Sequence, residues 1–161
     1  ALACVMGVLA ALRVEPWLLA GDAALRAAIV GAVTAWVIRE VMAAPQVSLD
    51  TIFGAICSYL LIGFVYVNVY LVIEALHPGA LRNESGQPQR AIEAGEHPFR
   101  AIPSLIYFSY VTLTTVAYGD ILPVTPIARF VAMTEGMIGQ LYPAIFIARL
   151  VSRWQSTPRG S

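Results

Sequence analysis

The residues with the clearest chemical potential in this sequence form one short run, Thr114-Thr115-Val116-Ala117-Tyr118-Gly119-Asp120. A cation that sheds its hydration water needs oxygen ligands, and backbone carbonyls turned inward from several chains supply stacked rings of them. Small and β-branched residues suit an extended backbone of this kind, and glycine tolerates the positive φ that turning successive carbonyls the same way demands. We therefore expect a cation to bind the carbonyls of Thr115, Val116, Ala117 and Tyr118, together with the Thr115 hydroxyl.

The end of the same run has supporting roles in this interpretation. Gly119 completes the expected filter, and the Tyr118 ring can pack or hydrogen-bond against the preceding helix. Asp120 places a carboxylate at the outer mouth, where it can concentrate cations or pair with a neighbour. Taken alone, the string is equally compatible with a strand and turn of any protein. The surrounding elements must decide between the two interpretations.

Composition indicates that those elements lie in lipid. Of the 161 residues, 58% are hydrophobic and 12% are charged, and the mean hydropathy is +0.72. The ten basic residues, all arginine, balance ten acids, so the charge gives no reason to expect a nucleic-acid partner. Cys4 and Cys57 lack the spacing of a disulfide framework or a metal site.

Three stretches are apolar enough to span or enter a membrane, namely Ala23–Met42, Thr51–Leu76 and Pro126–Val151. Ala1–Leu12 is shorter, which fits a truncated helix, and Pro16 with Gly21-Asp22 predicts a break before the next one. Residues 1–46 are thus expected to form amino-terminal transmembrane helices. Ser48 is expected to cap the following helix, which begins near Leu49.

The remaining residues predict a re-entrant loop within a pore domain of residues 47–153. The expected order is an outer helix at 49–76, an aqueous, extracellular loop at 77–101, a pore helix at 102–114, a filter at 115–120 and an inner helix at 126–152. Residues 102–114 are apolar but too short to cross, and irregular backbone at membrane depth is tolerated only beside a water-filled cavity or inside protein. Residues 154–161 are interpreted as a tail with a remnant of a cleavable tag.

At these residues the chain resembles the potassium channel superfamily, in particular the bacterial channels whose pore domain has two helices and one pore loop. The similarity covers roughly Ser48–Ser152 and includes the segments 107–115, 120–126 and 136–142 beside the filter. The resemblance implies an all-α membrane protein with K⁺ ions in its filter, assembled with three identical subunits around one axis. Because no internal repeat is visible, several copies of the chain are also needed to build a symmetric pore.

One filter position departs from the family pattern, in which the filter reads TVGYGD. Ala117 stands where the family has its first filter glycine. If this position has a positive φ, its Cβ costs on the order of 1–2 kcal/mol per subunit. The alternatives are strain, a carbonyl that flips outward, or compensating contacts. We expect reduced discrimination between K⁺ and Na⁺.

Several inner-helix residues are candidates for gating or for lining the cavity. By distance from the filter, Gly139 occupies the hinge position of the resembled family, and Pro143 removes a backbone hydrogen bond one turn later. The alternative for Gly139 is close packing. Gln140 is a candidate for lining the cavity, and Glu135 is expected to hydrogen-bond the pore helix, at Thr112 or Tyr110.

The arginines inform orientation and gating. The resemblance puts the 77–101 loop outside, although this leaves Arg82, Arg90, Arg100 and Arg129 on the outer side, against the positive-inside tendency. At the cytoplasmic end of the inner helix, Arg149 and Arg153 are expected to anchor to headgroups or to tune the local potential. A voltage sensor needs arginines at every third residue of one helix, and Arg26 and Arg39 are too far apart for that.

The resulting expectation is a multi-pass protein of the cell's inner (plasma) membrane that conducts K⁺ passively as a homotetramer. Its expected partners are three identical subunits and membrane lipid, with no nucleic acid, no organic cofactor and no enzymatic activity. A weakly selective cation channel is one alternative, because of Ala117. A potassium uptake transporter and a non-conducting membrane scaffold are the others; a single pore loop in 161 residues disfavours the transporter.

Overall fold

The computed structural model describes residues 16–44, 48–83 and 102–155 of the chain. Within these ranges it contains four helices and two short strands. They are α1 (Pro16–Ala43), α2 (Leu49–Leu76), β1 (Leu81–Asn83), α3 (Ile102–Leu113), β2 (Ile121–Pro123) and α4 (Pro126–Gln155). We refer to α2, α3 and α4 as the outer, pore and inner helices. The first apolar segment, most of the 77–101 loop and residues 156–161, which were interpreted as part of a tail with a tag remnant, lie outside the described residues.

Helix α1 begins earlier than the sequence predicts. The expected break at Gly21-Asp22 is wrong, because both residues lie inside a helix that starts at Pro16. Proline suits the first turn of a helix, and a single interior glycine costs only about 1 kcal/mol. Asp22 also forms an ion pair with Arg26 one turn later, and this pair compensates the charge of the Asp22 carboxylate inside the helix.

The outer helix begins as the local sequence predicts. The Ser48 side chain accepts a hydrogen bond of 3.2 Å from the Thr51 amide, and the Thr51 hydroxyl faces the Ser48 amide in return. This reciprocal pair satisfies amide groups that a helix start otherwise leaves without partners. The first turn also carries Asp50, which suits the positive end of the helix dipole.

Three of the described helices, α1, α2 and α4, are long and apolar enough to cross a membrane. The pore helix, at 12 residues, is apolar but too short to do so. In the isolated chain the inner helix leaves large apolar side chains exposed along its length: Phe130, Met133, Met137, Leu141 and Ile145. A surface of this kind is stable only against lipid or other protein.

A small antiparallel sheet, which the sequence did not predict, ties the end of the outer helix to the segment after the filter. Strand β1 pairs with β2 so that Arg82 lies opposite Leu122. The buried Glu74 carboxylate organises the turn before β1, because it accepts hydrogen bonds from the amides of Gly79 (3.0 Å) and Leu81 (2.6 Å). This arrangement holds both ends of the pore loop on one scaffold.

The main core joins the outer, pore and inner helices. Tyr70, Leu105 and Phe108 lie at its centre, and the rings of Tyr70 and Phe108 meet edge to face with centroids 5.0 Å apart. Leu81, Ile121 and Ala128 extend the same cluster to the sheet and the inner helix. The pore helix is therefore fixed by packing on its buried face.

Candidate functional site

The expected filter has an alternating backbone. φ is +58° at Thr115, +48° at Ala117 and +81° at Gly119, whereas Val116 and Tyr118 are not in the positive region. In such an alternating chain, successive amide N–H groups lie on one side and successive carbonyls on the other. Ala117 thus has the positive φ that the sequence analysis considered for this position. Only glycine adopts such a φ without a steric cost.

The amide side of this backbone faces the pore helix. The Val116 amide donates to the Val111 carbonyl over 3.0 Å, and the Ala117 amide approaches the same oxygen at 3.4 Å. The Thr115 amide donates to Thr112 over 3.0 Å. The bonds of these three amides leave the opposite side of the filter backbone open.

That open side is uncovered in a single chain. Residues 114–119 are all exposed, with Val116 at 51% and Tyr118 at 70%. One interpretation of the sequence had the Tyr118 ring packing against the pore helix. At 70% exposure, the ring is not buried against the pore helix of its own chain. Covering its ring would require a neighbouring molecule.

Two tyrosine hydroxyls, one on each helix, join the carboxyl-terminal half of the pore helix to the outer helix. The Tyr59 hydroxyl donates to the Leu113 carbonyl over 3.0 Å. The Tyr110 hydroxyl donates in the other direction, to the Leu60 carbonyl of the outer helix, over 2.7 Å. The Tyr59 bond satisfies a carbonyl at the end of the pore helix, where the filter begins. The Tyr110 bond ties the same part of the pore helix to the middle of the outer helix.

Glu135 on the inner helix is completely buried at 0% exposure and reaches both other helices. Its Oε2 atom accepts a hydrogen bond from the Tyr70 hydroxyl at 2.6 Å, and its Oε1 atom lies 2.5 Å from Ser109 Oγ. The prediction that Glu135 bonds the pore helix is confirmed, but both suggested partners, Thr112 and Tyr110, are wrong. The pore helix is rotated so that Ser109 faces the inner helix instead.

Gly139 lies against the backbone of the pore helix. A Cβ at this position would come within 2.8 Å of the Leu113 carbonyl carbon and closer still to its oxygen, so no side chain fits. Close packing is therefore sufficient to require glycine here. Pro143 lies inside the continuous inner helix, and the hinge at Gly139 and Pro143 stays a prediction.

The next inner-helix residue contacts the filter itself. Gln140 Nε2 donates a hydrogen bond of 2.9 Å to the Thr115 hydroxyl, and the Gln140 side chain is exposed. Gln140 therefore lies at the inner end of the filter, next to the residue expected to supply its innermost oxygen. The sequence suggested a cavity residue but not this partner.

At the other end of the filter, Asp120 lies beside the pore helix. Its carboxylate accepts a hydrogen bond of 3.1 Å from the Ile121 amide. A hydrogen bond with Asp120 raises the pKa of the Tyr107 phenol above its ordinary value of 10.0. Ser104, Tyr107 and Asp120 share the lining of one open depression with Asn83 at the end of β1. The outer mouth is thus connected to the pore helix and to the sheet.

Arg149 near the end of the inner helix has a role that the sequence did not indicate. Its guanidinium donates to the carbonyls of Val41 and Ala44, each at 3.2 Å, and contacts the Met42 sulfur at 3.0 Å. These groups form the carboxyl end of α1, where a cation is favoured by the helix dipole. The structure gives Arg149 a protein partner in place of the expected headgroup. The Arg153 side chain lies outside the described residues.

Comparison with known proteins identifies the family of the chain. The ion channel family matches residues 54–156, which contain most of the outer helix, the pore helix, the filter and the inner helix. The match confirms the resemblance to the potassium channel superfamily and identifies a channel protein rather than an enzyme.

Three curated proteins are also similar to parts of the chain. Protein LctB of Bacillus caldotenax is 26% identical over 129 residues, which are 80% of this chain and 90% of that protein. Protein LctB of Geobacillus stearothermophilus is 28% identical over 127 residues, 78% of this chain and 88% of that protein. The potassium voltage-gated channel protein shk-1 of Caenorhabditis elegans is 37% identical over 57 residues, 35% of this chain and 11% of that protein.

No solved structure matches the chain at a significant level. The assignment therefore depends on the family match, the three apolar helices and the filter geometry. The chain is a membrane protein and belongs to the ion channel family.

Proposed function

We propose that this chain is one subunit of a homotetrameric channel of the plasma membrane that conducts K⁺ passively. The observation that carries the proposal is the alternation of positive φ at Thr115, Ala117 and Gly119. It turns the carbonyls of residues 115–118 to one side, where K⁺ would exchange its hydration water for carbonyl oxygens. The Thr115 hydroxyl would add the innermost ligand.

Assembly around a central axis is supported by what the single chain leaves open. The filter residues are exposed on the side away from the pore helix, and the carbonyls of one chain could not surround an ion. The exposed apolar side chains of the inner helix, such as Met137 and Leu141, would be covered by neighbouring subunits and by lipid. Four copies would place four filters around one axis and leave Gln140 near the inner cavity.

A weakly selective monovalent cation channel is the second candidate, and the conformation of Ala117 favours it. A Cβ at a φ of +48° is sterically costly, and four such methyl groups must be accommodated behind one ring of carbonyls. A ring that is strained or wider than its glycine counterpart would discriminate less between K⁺ and Na⁺. The two candidates differ only in selectivity.

A flux assay on purified full-length chain in liposomes tests the proposal. We expect K⁺ and Rb⁺ to move down their gradients without saturable coupling to another solute, and cross-linking to give a tetramer. Saturable or ion-coupled uptake would instead indicate a transporter. A monomer that is impermeable to K⁺, Rb⁺ and Na⁺ would contradict both channel candidates.

Selectivity is then decided by the reversal potential under opposed K⁺ and Na⁺ gradients. A reversal potential close to the K⁺ equilibrium value supports the potassium channel. A value near zero supports the weakly selective channel.

A further inference from the structure

The buried side chains around Glu135 form a hydrogen-bond network in which the available protons can be compared with the number of contacts. We call it the carboxyl clamp and define it by Glu135, Tyr70, Ser109 and the Gly63 carbonyl. Tyr70 and Gly63 belong to the outer helix, Ser109 to the pore helix and Glu135 to the inner helix. The clamp therefore joins the three helices that surround the base of the filter.

Three short oxygen–oxygen contacts make up the clamp. The Tyr70 hydroxyl is 2.6 Å from Glu135 Oε2, Ser109 Oγ is 2.5 Å from Glu135 Oε1, and Ser109 Oγ is also 3.0 Å from the Gly63 carbonyl oxygen. Each contact lies within hydrogen-bond distance for O–H···O geometry. Each needs one proton on its axis.

The two hydroxyl groups supply two protons for these three contacts. Tyr70 contributes one, and Ser109 contributes one, which can form a near-linear bond to only one of its two neighbours at a time. If Glu135 were a carboxylate, one Ser109 contact would set two acceptors against each other without a proton between them. A protonated carboxyl removes the conflict: its O–H donates to Ser109 Oγ, and Ser109 donates onward to Gly63.

The surroundings of Glu135 favour the same state. Glu135 is fully buried, and no basic side chain of the described residues forms an ion pair with it. The titratable groups facing it from the outer helix are phenols, namely Tyr59, Tyr66 and Tyr70, and a phenol brings no positive charge. An unpaired buried carboxylate is costly in a protein interior and more so in a membrane.

We propose that Glu135 is held as a neutral carboxylic acid and that its proton is the third donor of the carboxyl clamp, which positions the pore helix behind the filter. Glu135 is thus a positioning residue that acts on the ions through Ser109 and the pore helix. The effect on conduction depends on the proposed function, whereas the protonation of Glu135 does not.

Infrared spectroscopy of the full-length protein in lipid at neutral pH tests the protonation directly. We expect the carbonyl stretch of a protonated carboxyl, which lies above the carboxylate stretch in frequency, to be present in the unmodified chain and absent from Glu135→Gln. The control is Glu40→Gln, because Glu40 is exposed on α1 and its replacement should leave that band in place. A difference spectrum in which Glu135→Gln removes only a carboxylate band would overturn the proposal.

Tetramer survival on heating and K⁺ flux test the clamp. Glutamine can accept from Tyr70 and donate to Ser109, so Glu135→Gln should behave like the unmodified chain. Glu135→Leu can do neither, and we expect tetramer survival to fall by about tenfold, because the buried Tyr70 hydroxyl loses its acceptor. If Glu135→Gln is as damaging as Glu135→Leu, the clamp does not need a neutral donor and the proposal fails. If no variant conducts, including the unmodified chain, the proposed function fails while the infrared result stands.

Discussion

Gln140 Nε2 donates a hydrogen bond of 2.9 Å to Thr115 Oγ1, so the inner helix contacts the first residue of the filter. The adjacent residue, Gly139, packs against the Leu113 backbone at the end of the pore helix. Two consecutive residues of the inner helix thus contact the base of the filter. A movement of the inner helix at this level would change the surroundings of the Thr115 hydroxyl, the proposed innermost ion ligand.

The Thr115 hydroxyl is expected to be both an ion ligand and the partner of Gln140. We expect Thr115→Val to lower single-channel K⁺ conductance several-fold, because it removes the innermost hydroxyl ligands while the fold is retained. Thr115→Ser keeps the hydroxyl and should conduct nearly as well as the unmodified chain. Single-channel recording in planar bilayers measures these changes.

Gln140→Leu is the matched control, because it removes the hydrogen bond and leaves the hydroxyl in place. We expect it to preserve more conductance than Thr115→Val. If both substitutions reduce conductance equally, the hydroxyl acts as a hydrogen-bond partner and not as an ion ligand.

Ala117→Gly should relieve the steric cost of a Cβ at a φ of +48°. The relief is on the order of 1–2 kcal/mol per subunit, partly offset by about 0.4–1 kcal/mol because glycine is freer in the unfolded chain. We expect a larger K⁺ preference over Na⁺ or a higher open probability. Both are measured in the same bilayer, from the reversal potential and from open times, and identical values for the two forms would show that Ala117 is unstrained.

Gly139 and Gly136 offer a matched pair on the inner helix. Gly139→Ala would drive its methyl group into the Leu113 carbonyl, and such overpacking costs about 1–3 kcal/mol per subunit. At Gly136 the nearest atom to a new Cβ is 3.9 Å away, so Gly136→Ala should be tolerated. We expect tetramer thermal stability to fall only for Gly139→Ala. Equal stability of the two variants, with altered gating in Gly139→Ala, would favour a hinge over close packing.

Arg149 should stabilise the carboxyl end of α1. Hydrogen bonds to a charged group contribute about 1.5–3 kcal/mol, so Arg149→Ala should increase amide hydrogen exchange around residues 41–44. Arg39→Ala is the control, because Arg39 is exposed on the same helix. Hydrogen exchange with mass spectrometry reports both. Unchanged exchange in Arg149→Ala would mean that α1 is held by its packing on the outer helix alone.

Local chemistry made much of this protein predictable. The Ser48 cap depends on residues three positions apart, and the apolar spans depend on composition over about 20 residues. The filter string predicted a positive φ at Gly119 and made it conditional at Ala117, but the positive φ at Thr115 was not expected from an extended run. The departure at Ala117 was visible in the sequence as well, since its cost follows from one Cβ and the sign of φ.

The contacts that hold the filter in place depend on how the helices pack. Tyr70 and Ser109 are 65 and 26 positions from Glu135, and Arg149 is 108 positions from Val41. The sequence placed Glu135 against the pore helix but not against Ser109, because the rotation of that helix is set by the packing of its buried face. The rotation of each helix and the level at which two helices meet determine which polar side chains contact each other. Neither can be read from the residue pattern of one segment, because both depend on packing between segments.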